Sequence, residues 1–293
     1  MTPDEYCQEK TQQSSSSFYY SFLFLNDSQR QAMTALYAYC REVDDIVDEC
    51  ADQYVSANKL NWWREEIHST FHGTPNHPVA IALKTAIANF PLQEKHFLEL
   101  ITGMEMDLHT HQYASFNELS LYCYRVAGVV GLITIEILGY NNPETVQYAH
   151  NVGISLQLIN ILRDVKEDAQ RQRIYIPQDE LVKFGVTKEM LLNSKNSPET
   201  LALFNYQAAR AQDYYEKAFS TLAPDDRYAQ KTGIIMAEIY FALLKKIKAQ
   251  DFPVLKKRVT LSKLNKLWIA WTTARHEYKL AQKIAQAAKK NPD

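Results

Sequence analysis

Glycine is scarce in this chain: 8 of 293 residues, against about 7% in ordinary proteins. A sheet-rich fold or a glycine-built phosphate loop would need more, so the composition leans towards helix. The four cysteines, Cys7, Cys40, Cys50 and Cys123, show no CxxC pairing and no regular spacing. Neither a zinc site nor a disulfide framework is expected, and a reducing compartment follows. The first residues, MTPDEYCQEKTQQSSSS, lack the basic stretch and apolar core of a signal peptide, which gives a cytoplasmic expectation. Long uncharged apolar runs are missing too. Val126 to Leu138 is interrupted by Glu136 and Ile234 to Leu244 by Glu238, short of the roughly 18–20 residues that a membrane span requires.

Net charge is also small, at −2, but it is unevenly spread. Residues 245–293 carry 13 Lys/Arg and 3 Asp/Glu, which leaves −12 for residues 1–244. This basic segment contains Trp268, Ile269, Trp271 and Tyr278. It suits either peripheral contact with an anionic membrane or the solvated face of a packed helix. The acidic remainder, with no binding module, argues against nucleic acid as a partner.

Helix-start signals recur. Thr2-Pro3-Asp4-Glu5 and Ser197-Pro198-Glu199 each supply a cap, a proline at the first helical position and an acid. Breaks are expected at 26–27, 73–78, 90–91, 113–115, 139–143, 171–177, 193–198, 223–224 and 252–253. Between them lie segments of about 15–25 residues with apolar positions three and four apart. No strand alternation or fixed repeat is evident. The expectation is one all-α domain over residues 1–293.

Two acidic stripes carry the chemistry. Residues 42–52, EVDDIVDECAD, hold six carboxylates and no basic residue. On a helix, Tyr37, Arg41, Asp44 and Asp48 fall within about 60° of one another. Like charges about 6 Å apart repel by roughly 2–3 kcal/mol at an effective dielectric near 20, so this face wants a cation. In GISLQLINILRDVKED, Gln157, Asn160, Asp164 and Asp168 lie within about 80° of the circumference, and apolar residues occupy most of the rest. Buried carboxylates need compensation. Oxygen coordination of Mg²⁺ with a phosphate supplies it; a salt-bridge network through Arg163 or Arg171 is the alternative, although Arg163 is expected to point away from the stripe. Two such helices around an apolar cavity would hold a diphosphate with a hydrophobic tail. The 18 tyrosines, Tyr19, Tyr20, Tyr37, Tyr39, Tyr122, Tyr124 and Tyr240 among them, suit stabilisation of a carbocation. Asp107 is a further candidate to line that cavity, while His109 and His111, two apart on a helix, are expected to face solvent.

The chain resembles the squalene/phytoene synthase family over nearly its whole length. The resemblance rests on Ser17-Phe18-Tyr19, ALYAYCREVDDIVDE (35–49), GMEMDL (103–108), YCYRVAGVVG (122–131), LQLINILRDVKED (156–168) and RIYIP (173–177). A narrower similarity, in SSFYYSFLFL (16–25) and RVTLSKLNKLWIA (258–270), is to the presqualene diphosphate synthases of bacterial hopanoid pathways. The resemblance implies an isoprenoid synthase fold with a central hydrophobic cavity, and metal ligation by Asp44, Asp48, Asp164 and Asp168. It implies catalytic roles for Tyr37, Arg41 and Tyr122, and substrate contacts from Ser17, Phe18, Arg41, Gln157, Asn160, Tyr240 and Arg258. Ser14, Ser15 and Ser16 stand where some relatives carry a basic residue. The implied reaction joins two farnesyl diphosphates with Mg²⁺, or Mn²⁺ in its place, to presqualene diphosphate and pyrophosphate, without NADPH. The alternatives are that the same fold carries on to squalene, dehydrosqualene or phytoene, or that it is a helical assembly factor without chemistry, against which the intact aspartate spacing argues. A downstream squalene-forming enzyme is the implied partner. Gly128 and Gly131 are expected to allow a close helix approach.

Overall fold

Helix starts follow the capping chemistry of the sequence in the computed structural model, which describes residues 1–13, 18–49 and 52–290. Thr2 N donates to Glu5 Oε2 at 2.7 Å and Glu5 N to Thr2 Oγ1 at 3.2 Å, and helix α1 (Pro3–Gln13) begins there. It is followed by α2 (Phe18–Phe22), α3 (Asp27–Glu49), α4 (Gln53–His72), α5 (Pro78–Asn89), α6 (Glu94–His109) and α7 (Phe116–Cys123). A π-helical turn, Tyr124–Gly128, joins α7 directly to α8 (Val129–Leu138). Then come α9 (Thr145–Gln170), α10 (Gln178–Phe184), α11 (Lys188–Leu192), α12 (Pro198–Thr221), α13 (Lys231–Ala249) and α14 (Lys263–Lys290). Ser197 and Thr200 form a second capping box at the start of α12.

All nine expected breaks fall at helix boundaries. Two further features were not anticipated. Asp52, at the end of the acidic run, caps α4 by accepting from Tyr54 N and Val55 N, and Gly185 ends α10 in the left-handed region at φ 66°. Among the described residues the one strand-like feature is a bridge between Gln112 and Ile174, which ties the loop before α7 to the loop after α9.

Two large clusters make up most of the core, with two small ones beside α13. Leu36, Leu60, Ile67, Leu83, Phe97 and Ile133 belong to a cluster formed by α1, α3, α4, α5, α6 and α8. Leu158, Ile159, Leu162, Leu203, Phe204 and Leu244 belong to a second, centred on α9, α12 and α13. Phe18 and Val126 pack against both clusters and so mark the seam between them. Helix α9 is buried along most of its length, as its apolar circumference requires.

Close approach across the seam depends on glycine. A Cβ on Gly131 would sit 2.5 Å from the Ala149 carbonyl oxygen, and one on Gly153 would sit 2.5 Å from that of Ala127. The sequence singled out Gly131, and its reciprocal partner is Gly153. At Gly128 a Cβ would meet the Tyr124 ring at 3.0 Å, so this glycine makes room for its own turn. The continuous run Phe116–Leu138 is long and apolar enough to cross a membrane, contrary to the limit set by Glu136, but half of its most apolar window is buried inside the protein. There Glu136 accepts from Gln93 Nε2 at 2.7 Å.

Candidate active site

The α3 acids divide into two faces. Glu42 and Asp45 turn towards α1, where Lys10 Nζ lies 3.1 Å from Glu42 and 2.9 Å from Asp45, and the Tyr6 hydroxyl donates to Glu42 at 2.8 Å. Asp44 and Asp48 face the other way with Tyr37 and Arg41. Arg41 Nη1 donates to Asp44 at 2.6 Å, and its other Nη donates to Asp45. Burial, then the neighbouring Asp48, pushes the Asp44 carboxyl up to about 6 against the pull of Arg41. The Tyr37 ring lies 5.4 Å from that of Phe18.

On α9 the second stripe is likewise crowded. Arg163 does not point away. Its Nε donates to Asp164 Oδ1 at 2.8 Å and Nη2 to Oδ2, while Arg258 approaches the same carboxylate with Nε at 2.8 Å and Nη2 at 3.2 Å. The physical reason is burial: an unpaired guanidinium enclosed by α9 and α13 would be costly, so the long side chain curls back to the adjacent acid. Burial raises the Asp164 carboxyl, but these two arginines outweigh it and hold it below its ordinary value. Asp168 has no such fork. Burial, then Asp164 and Asp107, pushes it up to about 8 despite Arg171 and Arg173. Asn160 Nδ2 lies 3.4 Å from Gln157 Oε1, and the buried Asn160 Oδ1 accepts no hydrogen bond from the described residues.

The two stripes meet. Asp48 is held by Arg173 Nη1 at 2.8 Å and Arg171 Nη1 at 3.1 Å, both from the loop that follows α9. Between the stripes lies Asp107 of α6, 6% exposed, whose charge acts on Asp44 and Asp168 and is acted on by Asp48. It accepts from the Tyr122 hydroxyl at 2.8 Å and from the Tyr175 hydroxyl at 2.8 Å. Burial still pushes Asp107 up to about 6. The rings of Tyr122 and Tyr175 stack at 5.2 Å, and Tyr113 stacks on Tyr175 at 6.1 Å. Apolar space beside the second stripe is narrow. A cleft of about 40 Å³ is lined by Arg163, Tyr240, Leu243 and Lys266, and one of about 10 Å³ by Ile161, Val165, Asp168 and Tyr175.

Of the residues expected from sequence, Tyr37, Arg41, Asp44 and Asp48 share one wall, and Gln157, Asn160, Asp164, Asp168, Tyr240 and Arg258 the other; Tyr122 reaches both through Asp107. Phe18 stands at the seam, and Ser17 lies outside the described residues, as do Ser14, Ser15 and Ser16. Asp107 emerges as the link between the stripes. Its signal was an acid on an otherwise apolar helix face beside Met104 and Leu108. Tyr175 and Arg173 had no assigned role, whereas Arg171 and Arg163, the arginines expected in the alternative salt-bridge network, do pair with Asp48 and Asp164. The bridge to Gln112 brings the loop of Arg171, Arg173 and Tyr175 to the site. His109 and His111 are exposed, as expected.

Residues 11–265 match the family model of squalene/phytoene synthases. The chain is 36% identical over 270 residues to a phytoene synthase of Arthrospira platensis, covering 87% of this chain and 86% of that one. Its fold is similar to that of a dehydrosqualene synthase crystallised with ligand (TM-score 0.82, 29% identity, 94% of this chain and 97% of the other). It is also similar to that of the squalene synthase HpnC from Alicyclobacillus acidocaldarius (TM-score 0.77, 26% identity, 85% and 94%). With its all-α isoprenoid synthase fold, the chain belongs to the squalene/phytoene synthase family of prenyltransferases, which condense prenyl diphosphates head to head.

Proposed function

We propose that this protein joins two farnesyl diphosphates into presqualene diphosphate and pyrophosphate in the cytoplasm, and that it uses Mg²⁺, or Mn²⁺ in its place, without NADPH. The observation that carries the reading is the pair of opposed aspartate stripes linked by Arg171, Arg173 and Asp107. The hard oxygen donors of Asp44, Asp48, Asp164 and Asp168, with Asn160 Oδ1, which has no donor among the described residues, fit such a cation. These residues would hold the metal, which would supply charge neutralisation to the carboxylates and Lewis-acid stabilisation to a leaving diphosphate. Arg41, Arg163 and Arg258 lie against the same acids and hold diphosphate oxygens. The allylic cation left behind is attacked by the C2–C3 double bond of the second molecule, and loss of a proton closes the cyclopropane. Tyr37, Tyr122 and Tyr240 supply ring faces to the cation. Tyr122 is also a positioning residue, because its hydroxyl is engaged by Asp107.

The similarity in residues 16–25 and 258–270 supports a reaction that stops at the cyclopropane and passes its product to a separate squalene-forming enzyme. A second reading is favoured by the phytoene synthase relative: the same site opens the cyclopropane and releases phytoene, squalene or dehydrosqualene, according to chain length and reductant. Product analysis with farnesyl or geranylgeranyl diphosphate and Mg²⁺, with and without NADPH, separates the two. Presqualene diphosphate as the end product supports the first reading. A hydrocarbon product replaces it with the second.

Helix α14 is the part we assign to an anionic membrane surface. Ala270 and Glu277 face inwards, Glu277 pairing with Arg227 at 2.6 Å. Leu264, Trp268, Trp271 and Tyr278 form an exposed outer stripe within about 80° of the circumference, among lysines. The start of this helix borders the cleft beside Arg163 through Lys266, so a product with long hydrocarbon chains would emerge next to the bilayer.

A further inference from the structure

Away from the aspartates, the end of α4 and the start of α6 bring three metal-ligating side chains together. His68 and His72 are one helical turn apart, with ring centroids separated by 4.6 Å and both side chains more than half exposed. Glu94, the first residue of α6, reaches between them. Its Oε1 lies 3.1 Å from His68 Nδ1 and its Oε2 lies 2.8 Å from His72 Nε2. The three ligand atoms all fall within 4.8 Å of one another.

These distances suit a small soft-to-borderline cation. A tetrahedral zinc ion with bonds of about 2.0–2.1 Å holds its ligand atoms roughly 3.3 Å apart. The nitrogen-to-oxygen separations of 3.1 and 2.8 Å run to different Glu94 oxygens and are a few tenths of an ångström short of that value, and rotation of the carboxylate and the exposed rings brings one oxygen and both nitrogens to it. Two imidazoles and a carboxylate form the donor set of open zinc sites, in which water takes the remaining position. The proposed reaction uses none of these residues. Glu94 and Asp107 are thirteen positions apart on α6, about 20 Å along the axis. We propose that His68, His72 and Glu94 form a surface site for a divalent transition metal, zinc in the first instance. The ion clips the C-terminus of α4 to the N-terminus of α6 and is distinct in position and donor chemistry from the oxygen ligands of the active site.

The test is calorimetric titration of zinc chloride into the full chain, stripped of metal and then saturated with MgCl₂ so that the aspartates are occupied. The wild type should bind one zinc ion at this site. His68→Ala/His72→Ala should weaken that binding at least about tenfold, and Glu94→Gln should also weaken it. Asp164→Asn should leave it unchanged. With Co²⁺ as the probe, the visible absorption of a tetrahedral nitrogen and oxygen site should appear in the wild type and vanish in the double variant. Circular dichroism of the double variant should match the wild type, since both rings are on the surface. The proposal is overturned if the double variant gives the wild-type isotherm. It is equally overturned if zinc binding is lost in Asp164→Asn or in His109→Ala/His111→Ala instead.

Discussion

Replacing Gly153 by alanine tests the link between helix packing and catalysis. The new methyl would lie 2.5 Å from the Ala127 carbonyl oxygen and 2.8 Å from Gly128 Cα, about 0.9 Å inside ordinary contact at 3.4 Å. Both obstacles are backbone atoms, so no side chain can swing aside and α9 must move away from the π-helical turn. Overpacking of this kind costs about 1–3 kcal/mol, while alanine recovers about 1 kcal/mol of helix propensity over glycine. Because the clash is with two backbone segments, the upper half of the range applies and the net loss should be about 1–2 kcal/mol. Asn160 and Asp164 lie two and three turns further along the same helix, so a displacement near 1 Å should also lower turnover by up to about 100-fold. Urea denaturation and steady-state pyrophosphate release measure the two effects. A variant as stable as wild type, with unchanged turnover, would refute the close-approach argument.

Four other outcomes are expected. Asp164→Asn should lower turnover by at least about 100-fold with native circular dichroism, and an unchanged rate would remove the metal assignment. Tyr175→Phe removes one of two hydroxyls donating to buried Asp107 and should destabilise the fold by about 1.5–3 kcal/mol, read by chemical denaturation. Asp226 accepts from Asn141 N, Asn142 N and Thr145 Oγ1 at 2.6–2.9 Å; burial raises its carboxyl, and these bonds outweigh burial to hold it below its ordinary value. Its contribution to stability is therefore present above the unfolded value near 3.9 and is lost as pH falls through the lower folded value. Acid titration of thermal stability should show that loss in the wild type and a flatter profile in Asp226→Asn. Trp268→Ala/Trp271→Ala should reduce co-sedimentation with anionic vesicles at low salt, and wild-type protein that stays in the supernatant would sink the membrane assignment.

Much of this organisation is legible from sequence because its signals are local. Capping residues and prolines locate the helix ends, and 3.6-residue periodicity puts Asp44 beside Asp48 and Asp164 beside Asp168. What is not legible is long-range. Arg163 looks outward on a wheel diagram, yet a guanidinium on a three-carbon stem can return to an adjacent carboxylate once burial makes the unpaired state costly. Asp107 and Tyr175 belong to a helix and a distant loop, and the pairing of the 111–114 and 174–179 segments brings them together. Gly153 carried no signal of its own, since its need for a missing methyl depends on the course of a separate chain segment.

The π-helical turn has a consequence for the phase of the helix around it. Val129 N reaches back to the Tyr124 carbonyl, five residues away, so the turn holds one residue more than an α-helical turn would. Deleting one residue between Tyr124 and Gly128 would leave a helix of ordinary pitch, but would rotate α7 by about 100° relative to α8. Val129 and Ile133 would keep their places in the core, while the Tyr122 hydroxyl would swing off Asp107. The extra residue therefore acts as a fixed rotation between a helix that packs and a helix that serves the site, and lengthening or shortening this segment should be tolerated less well than most substitutions within it.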